Sequence, residues 1–208
     1  MYRPSHFQSD NHARSIQLIA ENPLATVITA SKDNLEVSLT PVLINDELTQ
    51  LEGHFARQNN IWRQFTEKNI TNFLFQGPHG YISPSWYTTS PHLPTWNYAV
   101  VEIKTNVTLI KDKEEVLPLL HKLTKSFDPD FSKFATTNEY IELINDAAAG
   151  VVCFRAKILD IKAKFKLSQN KQHSDINELI TMLRSNKSDG HNALADLMQQ
   201  QLDDQPKG

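Results

Sequence analysis

The sequence predicts a mainly β protein with helices, an antiparallel barrel with helices packed outside it. About six strand-like segments interleave with short helical ones, several are joined by hairpin-length turns, and the two kinds do not alternate regularly. No GxGxxG follows the first strand, which disfavours a dinucleotide-binding parallel sheet. The 208 residues suffice for one domain with a sizeable core and no disulfides.

In chain order, Ser9 or Asp10 can cap a helix running to about Glu21, where Asn22-Pro23 stops it. LATVITA (24–30) and LEVSLTPVLI (35–44) read as strands joined by the turn Ser31-Lys32-Asp33-Asn34. LTQLEGHFA (48–56) alternates, with Leu51, Gly53 and Phe55 on one face and Gln50, Glu52 and His54 on the other. QNNIWRQFTEK predicts a short helix capped by Asn59 or Asn60, with Ile61, Trp62 and Phe65 turned inward, and ITNFLFQG a buried strand.

TWNYAVVEIKTNVTLI and GVVCFRAKILDIKAKFKLS read as long strands. Between them Asp112 and Glu115 suggest a capping box and Val116, Leu119, Leu120 and Leu123 a helical stripe; Pro118 argues for a start nearer Val116. A weaker helix covers about 138–147. Two helices end the chain, one from Asp175 with Glu178 completing a capping box, one from Asn192 with Leu194, Leu197 and Met198. The organisation expected is a barrel domain over 1–170 and a C-terminal helical extension over 171–208 packed on the same domain.

Hydrophobic content of 39% and a net charge of −3 are ordinary for a soluble protein and offer nucleic acid no bulk attraction. The single Cys153 sits in an apolar run, which suits a reducing cytoplasm and a buried thiol rather than a nucleophile. The N-terminus lacks an apolar leader core, and no apolar stretch reaches the ~18 residues of a membrane span. The eight His residues show no HExxH and no ligand-spaced pair, and no GxSxG elbow is present, so neither a metal site nor a hydrolase is expected.

Three stretches carry candidate chemistry. GHFARQNNIW passes from a strand to a helix start, so free N–H groups near Asn59 and the Arg57 guanidinium could hold an anion. The residues alone favour the plainer alternative, a surface ion pair for Arg57 and a cap for Asn59. KAKFKLSQN sets Lys162, Lys164, Lys166 and Ser168 on one strand face, more simply a solvated or edge-protecting face than a ligand field. GPHGYISPSWYTTSPHLPTWNY holds two of the three Trp and three of the five Tyr, with four Pro, outside any regular periodicity. Its Pro84 and Pro94 turns suit either a packed loop or a rigid platform for a flat ring, with Ser83, Ser85, Thr95 and Asn97 to bond a polar edge.

MYRPSHF, GHFARQN, GPHGYISPSWY, PTWNYAVV and KFKLSQN, in that order, resemble the PaiB-type FMN-binding negative transcriptional regulator family, over nearly the whole chain. Gly80 and Asn60 stand where that family commonly has Ala and Pro. The resemblance implies an FMN-binding split β-barrel, flavin reductase-like, usually a homodimer with flavin sites where two barrels meet. It implies Arg57, His54 and Asn59 near the phosphate, and His79, Tyr81, Ser83, Ser85, Trp86, Thr95, Trp96, Asn97 and Tyr98 around the ring. Lys164 and Lys166 would add positive charge near the phosphate or the flavin N1.

Three functions follow: a flavin-dependent redox protein, in which the cofactor carries the chemistry; a transcriptional repressor acting without redox chemistry; and a haem-binding split barrel using His54 or His79. No basic recognition helix is evident, so repression through direct DNA contact is disfavoured.

Overall fold

The computed structural model describes residues 1–31, 34–66, 69–89, 91–128, 130–131, 137–186 and 188–204. The strands are β1 (Gln8–Ser9), β2 (Leu24–Ser31), β3 (Asn34–Ile44), β4 (Gln50–Ala56), β5 (Thr71–Ile82), β6 (Thr95–Ile110) and β7 (Val151–Lys166). The helices are α1 (His12–Glu21), α2 (Lys113–Phe127), α3 (Asn138–Ala149), α4 (His173–Ser185) and α5 (Asp189–Asp203). Strands hydrogen-bond in the order β1-β7-β4-β3-β2-β5-β6, and β7 also pairs with β6. Strands β2 to β7 therefore form a closed cycle, the order of a barrel, with β1 appended to β7. The chain divides into two compact units: Met1–Leu18, Gln76–Val101 and Lys162–Gly208 make the first, Ile19–Phe75 and Glu102–Ile161 the second.

In the second unit, β2 and β3 pair antiparallel without interruption from Leu24↔Pro41 to Ser31↔Asn34, as the hairpin reading expects. Lys32 and Asp33 of the predicted turn lie outside the described residues. The period-2 geometry sends Ala25, Val27 and Thr29 of β2 inward. On β4, Gly53 sits against Phe154 of β7, where an added Cβ would come within 2.8 Å of the ring. Phe154 also meets Phe55, Phe65 and Phe73, and these four rings fill one core.

Glu52 departs from the alternation expected of β4. It is buried, and its carboxylate accepts from Lys122 Nζ at 2.6 Å and Arg155 Nε at 3.1 Å. Burial opposes its charge, and these two cations nonetheless hold its pKa below the usual value. A second core joins Ile110, Leu119, Leu120, Leu123 and Cys153, with Val116, Ile144 and Ala148 packed against it. Burial pushes the Cys153 thiol up to about 11, so it is no nucleophile at neutral pH. Helix α2 begins at Lys113 rather than near Val116, because Asp112 caps it through the Glu114 N–H. Pro118 lies inside the helix and removes one bond without moving its start.

In the first unit, Asn11 rather than Ser9 or Asp10 caps α1, accepting from the Arg14 N–H at 3.2 Å. GPHGYI, expected to be irregular, is the second half of β5. The inward positions run Gly77, Gly80 and Ile82, a phase slip at Pro78 that turns His79 and Tyr81 outward. Gly80 is close to α5, where an added Cβ would meet Leu194 at 3.0 Å. The predicted turn at Pro94 is instead the start of β6, so Trp96, Asn97 and Tyr98 alternate between faces. Helix α4 starts at His173, before Asp175, and Asp175 does not cap it. Helix α5 starts at Asp189, capped by Ser188, before the predicted Asn192. Ile176, Leu179, Ile180 and Leu183 of α4 and Leu194, Ala195 and Met198 of α5 are buried. No helix of the described residues is long and apolar enough to cross a membrane.

Candidate functional site

The candidate residues fall into two groups, one in each unit. In the first unit the outward phase of β5 and β6 makes an aromatic strip. Trp96 is 53% exposed and Tyr81 45% exposed, and the Trp96 ring centroid lies 6.3 Å from Tyr81 and 6.2 Å from His79. Two large rings left this open, on strands rather than loops, form an exposed aromatic surface, with Tyr81 set edge-on to Trp96 at 70° and His79 tilted by 32°.

The basic stripe of β7 borders it and is not a solvated face. Strand β1 pairs Gln8 with Lys164, which is buried, its ammonium 5.1 Å from the Tyr98 ring centroid and 5.6 Å from that of Tyr2. Lys166 donates to Thr95 Oγ1 and to the Trp96 carbonyl, which fixes the start of β6. Burial lowers the Lys166 pKa, and the neighbouring Lys164 and Lys171 lower it further. Among the described residues no carboxylate pairs with Lys164 or Lys166.

Other predicted ring contacts have structural duties. Asn97 is fully buried and its amide donates to Ser168 Oγ at 2.9 Å and to Met198 Sδ at 3.5 Å, because it follows outward Trp96 on a strand. Ser83 caps a 3₁₀ turn over Pro84–Trp86 through the Ser85 N–H and shares a 2.8 Å bond with the Ser85 hydroxyl. Trp86 in that turn is half-buried.

Asp175 is the residue that sequence reasoning misassigned. Its carboxylate is 1% exposed and accepts from the N–H and hydroxyl of both Thr88 and Thr89, at 2.7 to 3.0 Å. Burial alone would raise its pKa; these four bonds instead hold it at about 2. Thr89 Oγ1 also lies 2.8 Å from His92 Nε2, and Lys171 Nζ 3.3 Å from His92 Nδ1. The paired Thr-Thr at 88–89 is the one sequence signal for this clamp, legible only once α4 is known to start earlier.

In the second unit, Arg57 donates from Nε to the Ala149 carbonyl at 2.7 Å and from one Nη to that of Val151 at 2.8 Å. The guanidinium thereby ties the end of α3 to the start of β7, neither a surface ion pair nor a wholly free anion ligand. Asn59 caps the 3₁₀ turn Asn60–Gln64, accepting from the Ile61 N–H and donating to Ser38. His54 is half-buried, burial lowers its pKa, and its Nδ1 has no hydrogen-bond partner.

A closed strand cycle with an exposed aromatic strip beside lysines that lack carboxylate partners defines a barrel protein with a candidate surface for an aromatic, negatively charged ligand. The chain belongs to the family described as "Putative FMN-binding domain", whose model matches residues 1–160. It is 32% identical over 209 residues to the Protease synthase and sporulation protein PAI 2 of Bacillus subtilis, covering 97% of this chain and 98% of that one. Among solved structures, the Flavocytochrome Anf3 from Azotobacter vinelandii superposes with a TM-score of 0.63 at 12% identity, covering 79% of this chain and 72% of that one. The FAD and haem binding protein from Mycobacterium smegmatis gives 0.59 at 17% identity, covering 76% and 73%. At such identities these two establish the split-barrel fold alone.

Proposed function

We propose that the chain is an FMN-dependent redox protein of the flavin reductase-like kind, with the isoalloxazine held on the first unit's aromatic strip. The observation that carries this is the exposed Trp96–Tyr81–His79 surface beside lysines that lack carboxylate partners. Its donor set fits the group: the exposed Trp96 ring for stacking, and Lys164, 5.1 Å from the Tyr98 ring centroid, for the negative charge that a reduced flavin carries. FMN when bound supplies the electron and hydride transfer. The protein's own residues bind, orient and set the local field. In the second unit taken by itself, Arg57, with two donors already on carbonyls, still has N–H groups for an anion, and His54 and Asn59 lie on the same β4-to-turn segment.

Trp96→Ala is expected to weaken FMN binding roughly tenfold, the value of about 1.4 kcal/mol of lost stacking. Because the side chain is exposed, thermal stability should change little. Flavin fluorescence titration with a parallel melt measures both, and wild-type affinity in the variant would remove the strip from the site. A second reading, haem, rests on half-buried His54, whose unpaired nitrogen and lowered pKa suit a neutral ligand. A Soret band on haemin addition, with no flavin bound, would favour it over FMN. Repression, the regulatory role that the sequence resemblance implies, would run through a partner or metabolite, since the net charge is −3.

The working unit we propose is a homodimer. Leu35, Val37 and Leu39 of β3 are 64%, 57% and 62% exposed on one strand face, an apolar row that a second copy would cover. Val37→Asp is expected to convert a dimer into a monomer in light scattering; a variant that stays dimeric would move the interface elsewhere.

A further inference from the structure

The first unit also contains a cavity of about 430 Å³ that the flavin reading leaves unused, a volume suited to a small organic molecule. Its lining joins the parts of the sequence that the aromatic strip does not explain: the loop around His92, the Ser168–Lys171 turn and Phe7 near the N-terminus.

The lining of the cavity is basic. Lys166 and Lys171 both line it, and their proximity contributes to the lowered Lys166 pKa. Among the described residues neither ammonium pairs with a carboxylate, and Asp175 is not available to them, its oxygens being taken by Thr88 and Thr89. Thr89 gives its proton to Asp175, so it accepts from His92 Nε2, and Lys171 donates to His92 Nδ1. The loop and Lys171 are therefore held by one chain of bonds.

The aromatic lining meets the ammoniums directly, with Lys171 Nζ 5.7 Å from the Tyr87 ring centroid and Lys166 Nζ 6.0 Å from that of Phe7. Tyr87 stacks on His92 with centroids 4.0 Å apart and planes 21° from parallel, and Phe7, Pro91 and Pro94 complete the wall. Ser168 also lines the cavity, buried, with a φ of 63° that L residues rarely adopt and a hydroxyl locked to Asn97. Backbone strain held by a buried side-chain pair, on the wall of a cavity, is the pattern of a shaped ligand site.

We infer that this cavity binds a small planar monocarboxylate, its charge taken by Lys166 and Lys171 and its apolar body lying against Tyr87 and Phe7. Two uncompensated ammoniums exclude a cation. A neutral ring would fill the aromatic part but leave both charges partly desolvated without an anion. A bare phosphate would leave the aromatic wall without a partner. The inference goes beyond the flavin reading and does not rest on it.

Benzoate and its neutral isostere benzamide, titrated into the purified wild-type protein by calorimetry, test it. Benzoate is expected to bind, benzamide at least tenfold more weakly, and Lys171→Met to weaken benzoate at least tenfold while Lys171→Arg retains it. Saturating benzoate should leave the FMN titration unchanged. Absence of benzoate binding, equal binding of benzamide, or an unaltered Lys171→Met variant would overturn the inference. Mutual displacement of benzoate and FMN would also overturn it, by assigning the cavity to the cofactor. The benzoate and benzamide comparison needs no variant, so a misfolded Lys171→Met leaves the inference open to refutation.

Discussion

Asp175→Ala is expected to destabilise the protein by roughly 3 kcal/mol, because it strands the Thr88 and Thr89 N–H groups and hydroxyls that now converge on one buried carboxylate. The charge matters as well as the shape. The folded pKa of about 2 lies below the ordinary value of 3.8, so the native state favours the ionised form. A depressed folded pKa gives stability that is complete above pH ~4 and is lost as the pH falls towards 2. Asp175→Asn keeps the shape and removes the charge. Urea unfolding of wild type and Asp175→Asn at pH 6, 4, 3 and 2.5 should therefore show a gap that is constant down to pH ~4 and then narrows. A gap independent of pH would show that the carboxylate acts only as a neutral acceptor.

The same residue shows where the sequence was legible and where it was not. The barrel was readable because β2, β3 and the long strands β6 and β7 carry their own hydrophobic runs, and a strand's period is local. Asp112 marked the cap of helix α2, but Pro118 drew the expected start to near Val116; the helix begins at Lys113, because a proline early in a helix removes one bond rather than the helix. The aromatic segment was misread for a different reason. Pro78, Pro84, Pro91 and Pro94 suggested turns throughout, yet Pro78 falls inside β5, where a phase slip accommodates it. Once the segment is seen as two strands, parity separates Trp96 and Tyr81, which face out, from Asn97, which faces in.

The clamp was invisible because its partners are 86 and 87 residues apart, and no local pattern links Thr88 and Thr89 to Asp175. The basic stripe was half legible: the alternation of Lys164 and Lys166 was plain, while their cover by Tyr2, Tyr98 and Phe7 depends on tertiary packing. Arg57 was singled out for its charge, and the structure gives it backbone carbonyls that a sequence does not display.

Phe154→Ala is expected to be the more damaging single change, at about 4 kcal/mol, or a fall in melting temperature of roughly 10 °C for a chain of this size. Phe154 is fully buried and meets Phe55 at 5.4 Å in a stacked pair, Phe73 at 5.8 Å and Phe65 at 6.1 Å, centroid to centroid. Deleting the ring leaves a void that three other rings on separate segments cannot close together, so the cavity cost adds to the lost transfer energy. The ring also explains Gly53 on the paired strand, Gly53↔Phe154, where a methyl group would press to 2.8 Å from the ring and 3.1 Å from the Pro41 carbonyl. Gly53→Ala should therefore cost about 1 to 3 kcal/mol by overpacking. If ring and missing methyl group are complementary, that cost should at least halve in a Phe154→Leu background, where the shorter side chain withdraws from the Cβ position. Denaturant midpoints of the two single variants and the double variant measure the coupling. An unchanged Gly53→Ala cost in both backgrounds would place the constraint on the Pro41 carbonyl instead.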